Sequence, residues 1–306
     1  MGLDFKAVSA IFRKDMRAYL GNPTGYVFIT LFILATGSAA FLQEGFFSRN
    51  LADLATLNPV MPLILMFFVP AITMDAWSRE RQAGTDELLM TLPIRDGEVV
   101  LGKYLGVVGM FTLSLALTSV AQLTVLSVLG EPDKGLMFST FAGYWFIGLL
   151  FAAIGLVGSM LTLNTTVAFI LGATGCLSLV VAGSTPWASG LVGVTIFGIV
   201  FTLVGYVATG RASLTTVVSG VAGIAIGALM WQSRRFTSSD EEYYQNGEAI
   251  TDLSSQFQEF FASLSVGDHF ESFGEGVMRL GDVSYFLSGV VVLLYFCAFL
   301  LGRRHW

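Results

Sequence analysis

The side chains that could do chemistry are concentrated in one segment, residues 78–106. It holds four bases and five acids between two apolar runs. Residues 97–104 read GEVVLGKY, close to the phosphate-binding loop pattern G-x-x-x-x-G-K-S/T. Tyr104 stands where that loop needs a small hydroxyl side chain for Mg²⁺, and no strand pattern precedes it. The segment therefore does not predict a nucleotide site, and its charges need another explanation.

No other arrangement in the sequence is typical of catalysis or metal binding. The only two histidines are His269 and His305, far too dispersed for a metal cluster. The two cysteines, Cys176 and Cys297, lie in separate apolar runs and indicate neither a disulfide framework nor a metal site. The apolar runs contain no paired carboxylates and no nucleophile–base pair. We expect no enzymatic activity, no metal and no cofactor in this chain.

Composition places the chain in a membrane. Of its 306 residues 54% are hydrophobic and 12% are charged, with a mean hydropathy of +0.73. Soluble domains carry about 25% charged residues, and a soluble chain of this length cannot enclose so much apolar surface. The net charge of −6 comes from residues 232–283, which hold ten acids and three bases. The acidity belongs to one loop, so we expect no nucleic-acid partner.

The apolar pattern predicts an all-α integral membrane fold with about eight spans, because a spanning helix needs about 20 apolar residues. The predicted spans are 25–42, 59–74, 104–129, 136–160, 164–183, 187–209, 212–232 and 283–301. Only small polar breaks separate the spans near 184 and 211, so two of these segments are alternatively re-entrant. The span interiors hold no acid or base, whereas coupled ion transport usually requires them. Energy for any uphill transport is therefore expected from outside the spans.

Orientation follows from the distribution of lysine and arginine. With both termini cytoplasmic, eleven of these bases lie inside and five outside, and the acidic loop is extracytoplasmic. The N-terminus is not expected to be a signal peptide, because charges continue to Arg17 and the following apolar run is long enough to span.

Three segments are amphipathic rather than spanning. The first predicts a helix in the cytoplasmic interface, and the other two lie in the acidic loop. Their apolar stripes are Phe5, Val8, Phe12, Met16 and Tyr19; Ile250, Leu253, Phe257, Phe260 and Leu264; and Phe270, Phe273, Val277 and Leu280. The loop stripes indicate either packing against neighbouring spans or a lid over the outer mouth, with His269, Phe270 and Phe273 as outer-gate candidates. The pairs Gly102/Gly106 and Gly223/Gly227 predict close helix packing.

The charged segment itself predicts a short capped helix. Thr85 is a suitable N-cap, and Asp86 and Glu87 follow in the first turn, where the helix dipole favours acids. Pro93 ends the leucine-rich run, giving a helix of about 10 Å at 1.5 Å per residue. Asp96 is expected to cap the next helix. Two interpretations remain: a solvated connector, or apolar anchors ringed by charges that dock in a groove of a cytoplasmic partner.

The same residues carry a family resemblance. Residues 74–89 (MDAWSRERQAGTDELL), then 91–93 (TLP) and 100–103 (VLGK), resemble the ABC-2 permeases, which share E-R/K-x-x-G-T-x-E-x-L-x-T/S-x-P after the second span. Residues 269–273 (HFESF), 276–277 and 282–288 are similar to its gliding-motility, GldF-like subfamily. The resemblance covers residues 1–183 and about 255–306.

This resemblance implies a function. The chain would be the permease subunit of an exporter in the bacterial inner membrane, paired with a second permease chain. Cytosolic ABC ATPase subunits would bind ATP and Mg²⁺, and the loop after the second span would be the coupling helix that docks on them. The candidate coupling residues are Arg79, Glu80, Arg81, Gly84, Thr85, Glu87, Leu88, Leu92 and Pro93. The N-terminal helix would be the elbow helix of such exporters.

The expected organisation is an interfacial helix, a six-span core and two extra spans. Its segments are 1–24, 25–183 with the coupling helix at 76–98, the extra spans 184–232, the acidic loop 233–282, and 283–306. The extra spans depart from the six-span plan of the family and would serve an auxiliary subunit. The gliding-type resemblance implies an auxiliary protein with a large extracytoplasmic domain. An envelope-assembly scaffold and a secondary carrier are the alternative functions.

Overall fold

A computed structural model of the chain describes residues 4–43, 46, 53–84, 94–184, 186–209, 214–232, 244–245, 248–249 and 253–302. Its helices are α1 Phe5–Leu20, α2 Pro23–Phe41, α3 Met61–Thr73, α4 Asp75–Gln82, α5 Asp96–Leu129, α6 Lys134–Leu161, α7 Thr165–Val181, α8 Pro186–Thr209, α9 Leu214–Gln232, α10 Leu253–Ala262, α11 Val266–Gly274 and α12 Leu280–Gly302. A short antiparallel pair, β1 Tyr244–Gln245 and β2 Glu248–Ala249, accompanies them, and the predicted helical class is confirmed for the membrane region.

Local capping explains where the first helices begin. The Asp4 side chain accepts a hydrogen bond from the N–H of Lys6 at 2.9 Å, so it satisfies one of the unpaired donors of the first turn of α1. The Asn22 side chain caps α2 in the same way, and Pro23 follows at the first helical position. Proline suits that position because its missing N–H would be unpaired there.

The second apolar run forms two consecutive helices, α3 and α4, which meet at Met74. Pro70 lies inside α3 and lacks the N–H that would continue the helical ladder. α5 has 34 residues, about 51 Å at 1.5 Å per residue, which exceeds a hydrocarbon layer of about 30 Å. Its charged first turns therefore extend beyond the apolar layer, so the helix begins eight residues before the predicted span at 104–129.

Six helical segments in the described part of the chain are long and apolar enough to cross a membrane. They are Pro23–Phe41, Met61–Gln82, Asp96–Leu129, Lys134–Leu161, Leu214–Gln232 and Leu280–Gly302. The apolar stretches Thr165–Val181 and Trp187–Thr202 are shorter and occupy two further predicted spans. A multi-pass helical membrane fold is therefore confirmed, while the number of eight spans remains a prediction.

The chain divides into two compact units, and the first comprises residues 1–177 and 269–306. Its interior is built around large side chains, among them Phe32, Phe111 and Tyr144, all fully buried. Gly148 of α6 allows this packing, because a Cβ atom there would lie only 2.0 Å from the ring of Phe111. α5 and α6 can thus approach closely at that point.

The second unit comprises residues 178–268. α8 and α9 meet at the predicted glycine pair: a Cβ on Gly223 would lie 2.6 Å from Phe201, and one on Gly227 would lie 2.9 Å from Val194. Close helix packing at this pair is confirmed. A separate apolar cluster contains Ala182, Val192, Phe257 and Phe261.

The predicted faces of the two loop helices are partly wrong. Phe261 is buried beside Phe257 in α10, whereas Phe260 is 61% exposed, because the neighbouring α8 selects the face that packs. α11 ends at Gly274, and Gly276 takes a left-handed φ of 87°, so Val277 and Leu280 do not continue its stripe and are exposed. Ile250, which began the first stripe, lies outside the described residues.

Candidate functional site

The first turn of α4 is capped by a residue of another helix. Ser159 of α6 accepts hydrogen bonds from the N–H groups of Trp77 at 3.0 Å and Ser78 at 3.2 Å. Its own hydroxyl donates to the Met74 carbonyl at 3.0 Å. First-turn N–H groups have no partner inside their own helix. Trp77, Ser78 and Ser159 are fully buried, and Met74 is partly buried. Ser159 therefore attaches the α3–α4 junction to α6.

Glu80 joins three helices by ion pairs. One carboxylate oxygen lies 2.7 Å from Lys14 Nζ of α1, and the other lies 2.7 Å from Lys103 Nζ of α5. The Lys103 side chain is 2% exposed and also donates to the Ala76 carbonyl at 2.7 Å. Its ammonium lies 4.9 Å from the centre of the Trp77 ring. A buried ammonium requires such partners, so Glu80 fixes α4 against α5.

The other bases of α4 differ in what they contact. Arg81 donates to the carbonyl of Met160 in the last turn of α6, and the Gln82 amide donates at 2.7 Å to the carbonyl of Leu163, two residues after α6. Carbonyls at a helix end lack partners within the helix, so these contacts also tie α4 to α6. Arg79 instead pairs with Asp75 on the same helix at 2.9 Å and is 64% exposed.

α4 ends in a turn that suits glycine. Gly84 has a φ of 66°, the left-handed region that other residues adopt at a cost. The predicted coupling helix follows this turn, and its residues Thr85, Glu87, Leu88, Leu92 and Pro93 lie outside the described residues. Their role therefore remains a prediction.

α5 begins after the predicted coupling helix, and a hydrogen bond connects its first turn to the start of α1. Glu98 accepts from the N–H of Arg95 at 3.2 Å and from the N–H of Asp4 at 2.8 Å. The expectation that Asp96 caps this helix is wrong: Arg95 holds the cap position and Asp96 is the first helical residue. The carboxylate of Glu98, the third helical residue, accepts from the N–H of the cap residue, as in a capping box.

α1 packs on a row of three glycines along α5. A Cβ atom would lie 2.8 Å from Ile11 at Gly102, 2.9 Å from Asp15 at Gly106, and 3.0 Å from Met16 at Gly109. Close packing at Gly102 and Gly106 is thus confirmed, with α1 as the neighbour. Val8 of the predicted α1 stripe and Ile11 outside it are buried against the protein, whereas Phe5 is 74% exposed, as a residue that faces lipid would be.

The pKa values of the charged groups around Glu80 depend on burial and on pairing. Burial raises the pKa of Asp15 above its ordinary value, and the charges of Lys103 and Lys14 only partly oppose this. Burial lowers the pKa of Lys14, but its hydrogen bond and ion pair with Glu80 outweigh burial and raise it overall. Lys14 therefore stays charged and paired at neutral pH.

The three outer-gate candidates lie together at the other end of α6. His269 Nδ1 lies 2.8 Å from Asp282 Oδ1, and its ring stacks on Tyr285 with centres 3.9 Å apart. Phe270 stacks on Tyr144 with ring centres 5.2 Å apart. Phe273 is fully buried. The packing interpretation of this stripe is supported for Phe270 and Phe273, and gating by the three residues remains a prediction.

Residues 12–185, more than half of the chain, match the family model described as ABC-2 family transporter protein. The chain belongs to this family. Over 163 residues it is 31% identical to the "Probable ABC transporter permease protein NosY" of Pseudomonas aeruginosa, covering 48% of this chain and 56% of that relative. The matched region thus spans little more than half of the relative's length. The match to this ABC-2 family covers α4, α5 and most of α1.

Proposed function

We propose that this chain is the membrane-spanning permease subunit of an ABC exporter whose ATPase is a separate cytosolic protein. The partner would bind ATP and Mg²⁺ and contact the segment that follows α4. Two permease chains, identical or related, would form the transport unit. Family membership and the permease name of the relative support this proposal.

The observation that carries the proposal is the attachment of α4 to three other helices. Glu80 connects it to α1 and α5, and Arg81 with Ser159 connects it to α6. α4 forms the first part of the predicted coupling segment, 76–98, and the rest of that segment follows Gly84. A push on that segment would therefore move α4 together with its three neighbours rather than bend it alone.

ATP can drive such movement only through a difference in affinity. The ATPase would bind ATP more tightly in its closed form, and closure would displace the docked segments. The membrane helices would then change from one packed arrangement to another, because packed interfaces switch between discrete states. Among the described residues, Lys103 is the buried lysine, and it lies near the start of α5, beside α4.

Within this proposal, the candidate residues have four different roles. Leu88, Leu92 and the charges around them would contact the ATPase. Glu80 and Arg81 would transmit its motion, and Gly84 would provide the turn between the two parts. Arg79, which is exposed and paired within α4, would contribute to the charged rim of the docking surface.

Finer features of the proposal rest on the motif resemblance and on charge. The gliding-motility type of system is suggested by the motif at residues 269–288. The inner membrane, export as the direction, cytoplasmic termini and an auxiliary protein belong to the same proposal. The bias of lysine and arginine supports the orientation.

The test separates docking from transmission. The complex is purified with the ATPase that copurifies with the wild-type chain, and Leu88→Asp and Glu80→Gln are compared. Leu88→Asp is expected to abolish copurification, because it places a charge among the apolar anchors. Glu80→Gln is expected to retain the ATPase but lower permease-dependent ATP hydrolysis at least tenfold.

Glu275→Gln is the matched control, since Glu275 is exposed and lies after α11. It is expected to behave as wild type in both measurements. Normal docking and normal hydrolysis in both test variants would show that force does not enter through this segment.

A further inference from the structure

The membrane-spanning part of α5 carries a row of buried polar side chains. Ser114, Thr118 and Gln122 follow each other at four-residue intervals, so they share one face, with Cβ atoms about 5–6 Å apart. They are 0%, 0% and 2% exposed. Met110 and Leu126, both buried, continue the face at either end. We refer to Ser114, Thr118 and Gln122 as the polar row.

Gln122 differs from the other two members of the row. Ser114 donates to the Met110 carbonyl, and Thr118 donates to the Ser114 carbonyl, each at 2.9 Å within their own helix. Within the described part of the chain, neither the nitrogen nor the oxygen of the buried Gln122 amide has a hydrogen-bond partner. Buried polar groups in an apolar environment are normally paired, because leaving one unpaired is costly. The amide therefore calls for a partner.

We propose that the polar row binds a neutral hydroxyl group, held by the Gln122 amide. A hydroxyl oxygen can accept from the Gln122 Nε2 hydrogens and donate to Oε1 or to Thr118 Oγ1. The Ser114 and Thr118 oxygens still have lone pairs after donating to their own helix, so the row can accept further hydrogen bonds. The hydroxyl belongs either to a bound water or to a larger molecule such as a transported substrate.

The distribution of charged residues around Gln122 favours a neutral ligand. From Tyr104 to Leu129 the sequence contains no acid, lysine, arginine or histidine. The neighbouring α2, the part of α6 after Lys134 and the part of α12 after Asp282 contain none either. An ionised ligand would lose its hydration without gaining a counter-ion there. Gln122 lies about 28 Å along α5 from Lys103, at 1.5 Å per residue, so this site is distinct from the cluster around Glu80.

The sign of a stability change tests the proposal. Gln122→Met keeps the length of the side chain and removes both polar atoms. If the amide holds a hydroxyl group, the variant loses those hydrogen bonds, and the thermal midpoint of the full-length permease in nanodiscs falls by about 2–4 °C. If the amide has no partner, its apolar replacement removes a desolvation penalty and the midpoint rises. A rise overturns the proposal.

Thr118→Val and Thr124→Val provide a matched pair of variants. Both hydroxyls donate within α5, but Thr118 is buried in the row and Thr124 is exposed on the opposite side. Thr118→Val is expected to lower the midpoint and to be non-additive with Gln122→Met, because both remove contacts to one group. Thr124→Val is expected to change the midpoint equally with or without Gln122→Met. Additive effects at Thr118 contradict a shared ligand.

Electron cryo-microscopy of the wild-type protein identifies the source of the hydroxyl and does not depend on the variants folding. A compact peak about 3 Å from the Gln122 amide indicates water. Extended density that disappears after ATP turnover indicates a substrate. A map that resolves ordered waters elsewhere but shows no density at the amide overturns the proposal. This measurement does not require the ATPase to dock after α4, so the two proposals can fail separately.

Discussion

Replacing Glu80 by leucine removes the carboxylate that pairs with buried Lys103. The two groups lie 2.7 Å apart, and the Lys103 side chain is 2% exposed. Removing one partner of a buried ion pair costs about 3–5 kcal/mol, because the remaining charge is left without compensation. The loss of the Lys14 pair adds only about 0–1 kcal/mol, since Lys14 is 59% exposed.

The remaining contacts of Lys103 place the expected loss at the lower end of this range. Its ammonium keeps the Ala76 carbonyl and the face of Trp77, and a cation–aromatic contact is worth about 0.5–2 kcal/mol. We therefore expect Glu80→Leu to cost about 3 kcal/mol. At about 2–4 °C per kcal/mol, the thermal midpoint should fall by about 6–12 °C.

The assay is thermal unfolding of the purified permease in nanodiscs, followed by tryptophan fluorescence. Glu80→Leu combined with Lys103→Met should recover most of the loss, because the double variant leaves no buried charge. Arg79→Ala is the control: its pair with Asp75 is exposed and should contribute about 0.3–0.5 kcal/mol. The reasoning would be refuted if the double variant had a thermal midpoint as low as that of Glu80→Leu. It would also be refuted if the midpoint of Glu80→Leu alone lay within about 2 °C of the wild-type value.

Three further substitutions test the same region. Gly102→Val should separate α1 from α5 and expose α1 to limited proteolysis, because even a Cβ atom would lie 2.8 Å from Ile11; unchanged cleavage would contradict this packing. Ser159→Ala should cost about 1–3 kcal/mol in thermal unfolding, since it leaves the N–H of Trp77 without its acceptor; a neutral effect would show that another group supplies the cap. Asp15 has a raised folded pKa, so its contribution to stability is complete in acid and is lost as pH rises through that pKa. Asp15→Asn should therefore raise the thermal midpoint most at neutral pH and least in acid, and a pH-independent difference would be inconsistent with this cause.

Hydropathy predicted the helices of the membrane region because it depends only on local composition. It could not show that α5 begins at Asp96, since the first turns of this helix are polar and are stabilised by Glu98. The same limit applies to α4, whose sequence DAWSRERQ contains few apolar residues. Both helices continue a span beyond its apolar part, and hydropathy does not measure that continuation.

The faces of the amphipathic helices were harder to predict than their existence. Helical spacing allows neighbouring stripes, and the element that packs on the helix decides which one is buried. In α10, Phe257 and Phe261 are buried, and Phe260 is exposed. In α1, Ile11 is buried because it packs on Gly102, and Phe5 is exposed.

The sequence pattern proposed Glu80 and Arg81 as coupling candidates but did not predict which residues they contact. Lys14 is 66 residues from Glu80, and Ser159 is 82 residues from Trp77, so local spacing contains no sign of either contact. One signal was available for Lys103: a lysine at the edge of a long apolar run needs either water or a counter-ion. That requirement predicts a nearby carboxylate, and Glu80 is among the acids of the same charged segment.

The position of these ion pairs fits a protein that receives force rather than generating it within the membrane. A carrier that couples transport to ions usually needs titratable or ion-binding groups within its spans, where their charge state can change. Here Lys103 is held by a carboxylate at the end of α5, and Glu80 also reaches Lys14 of α1. The Lys103 pair resists shear between α4 and α5, because any displacement would separate a buried charge from its partner, whereas the exposed Lys14 pair adds little. Displacing α4 without α5 should therefore cost more than moving the two helices together, and the proposed transmission of force from the ATPase requires this property.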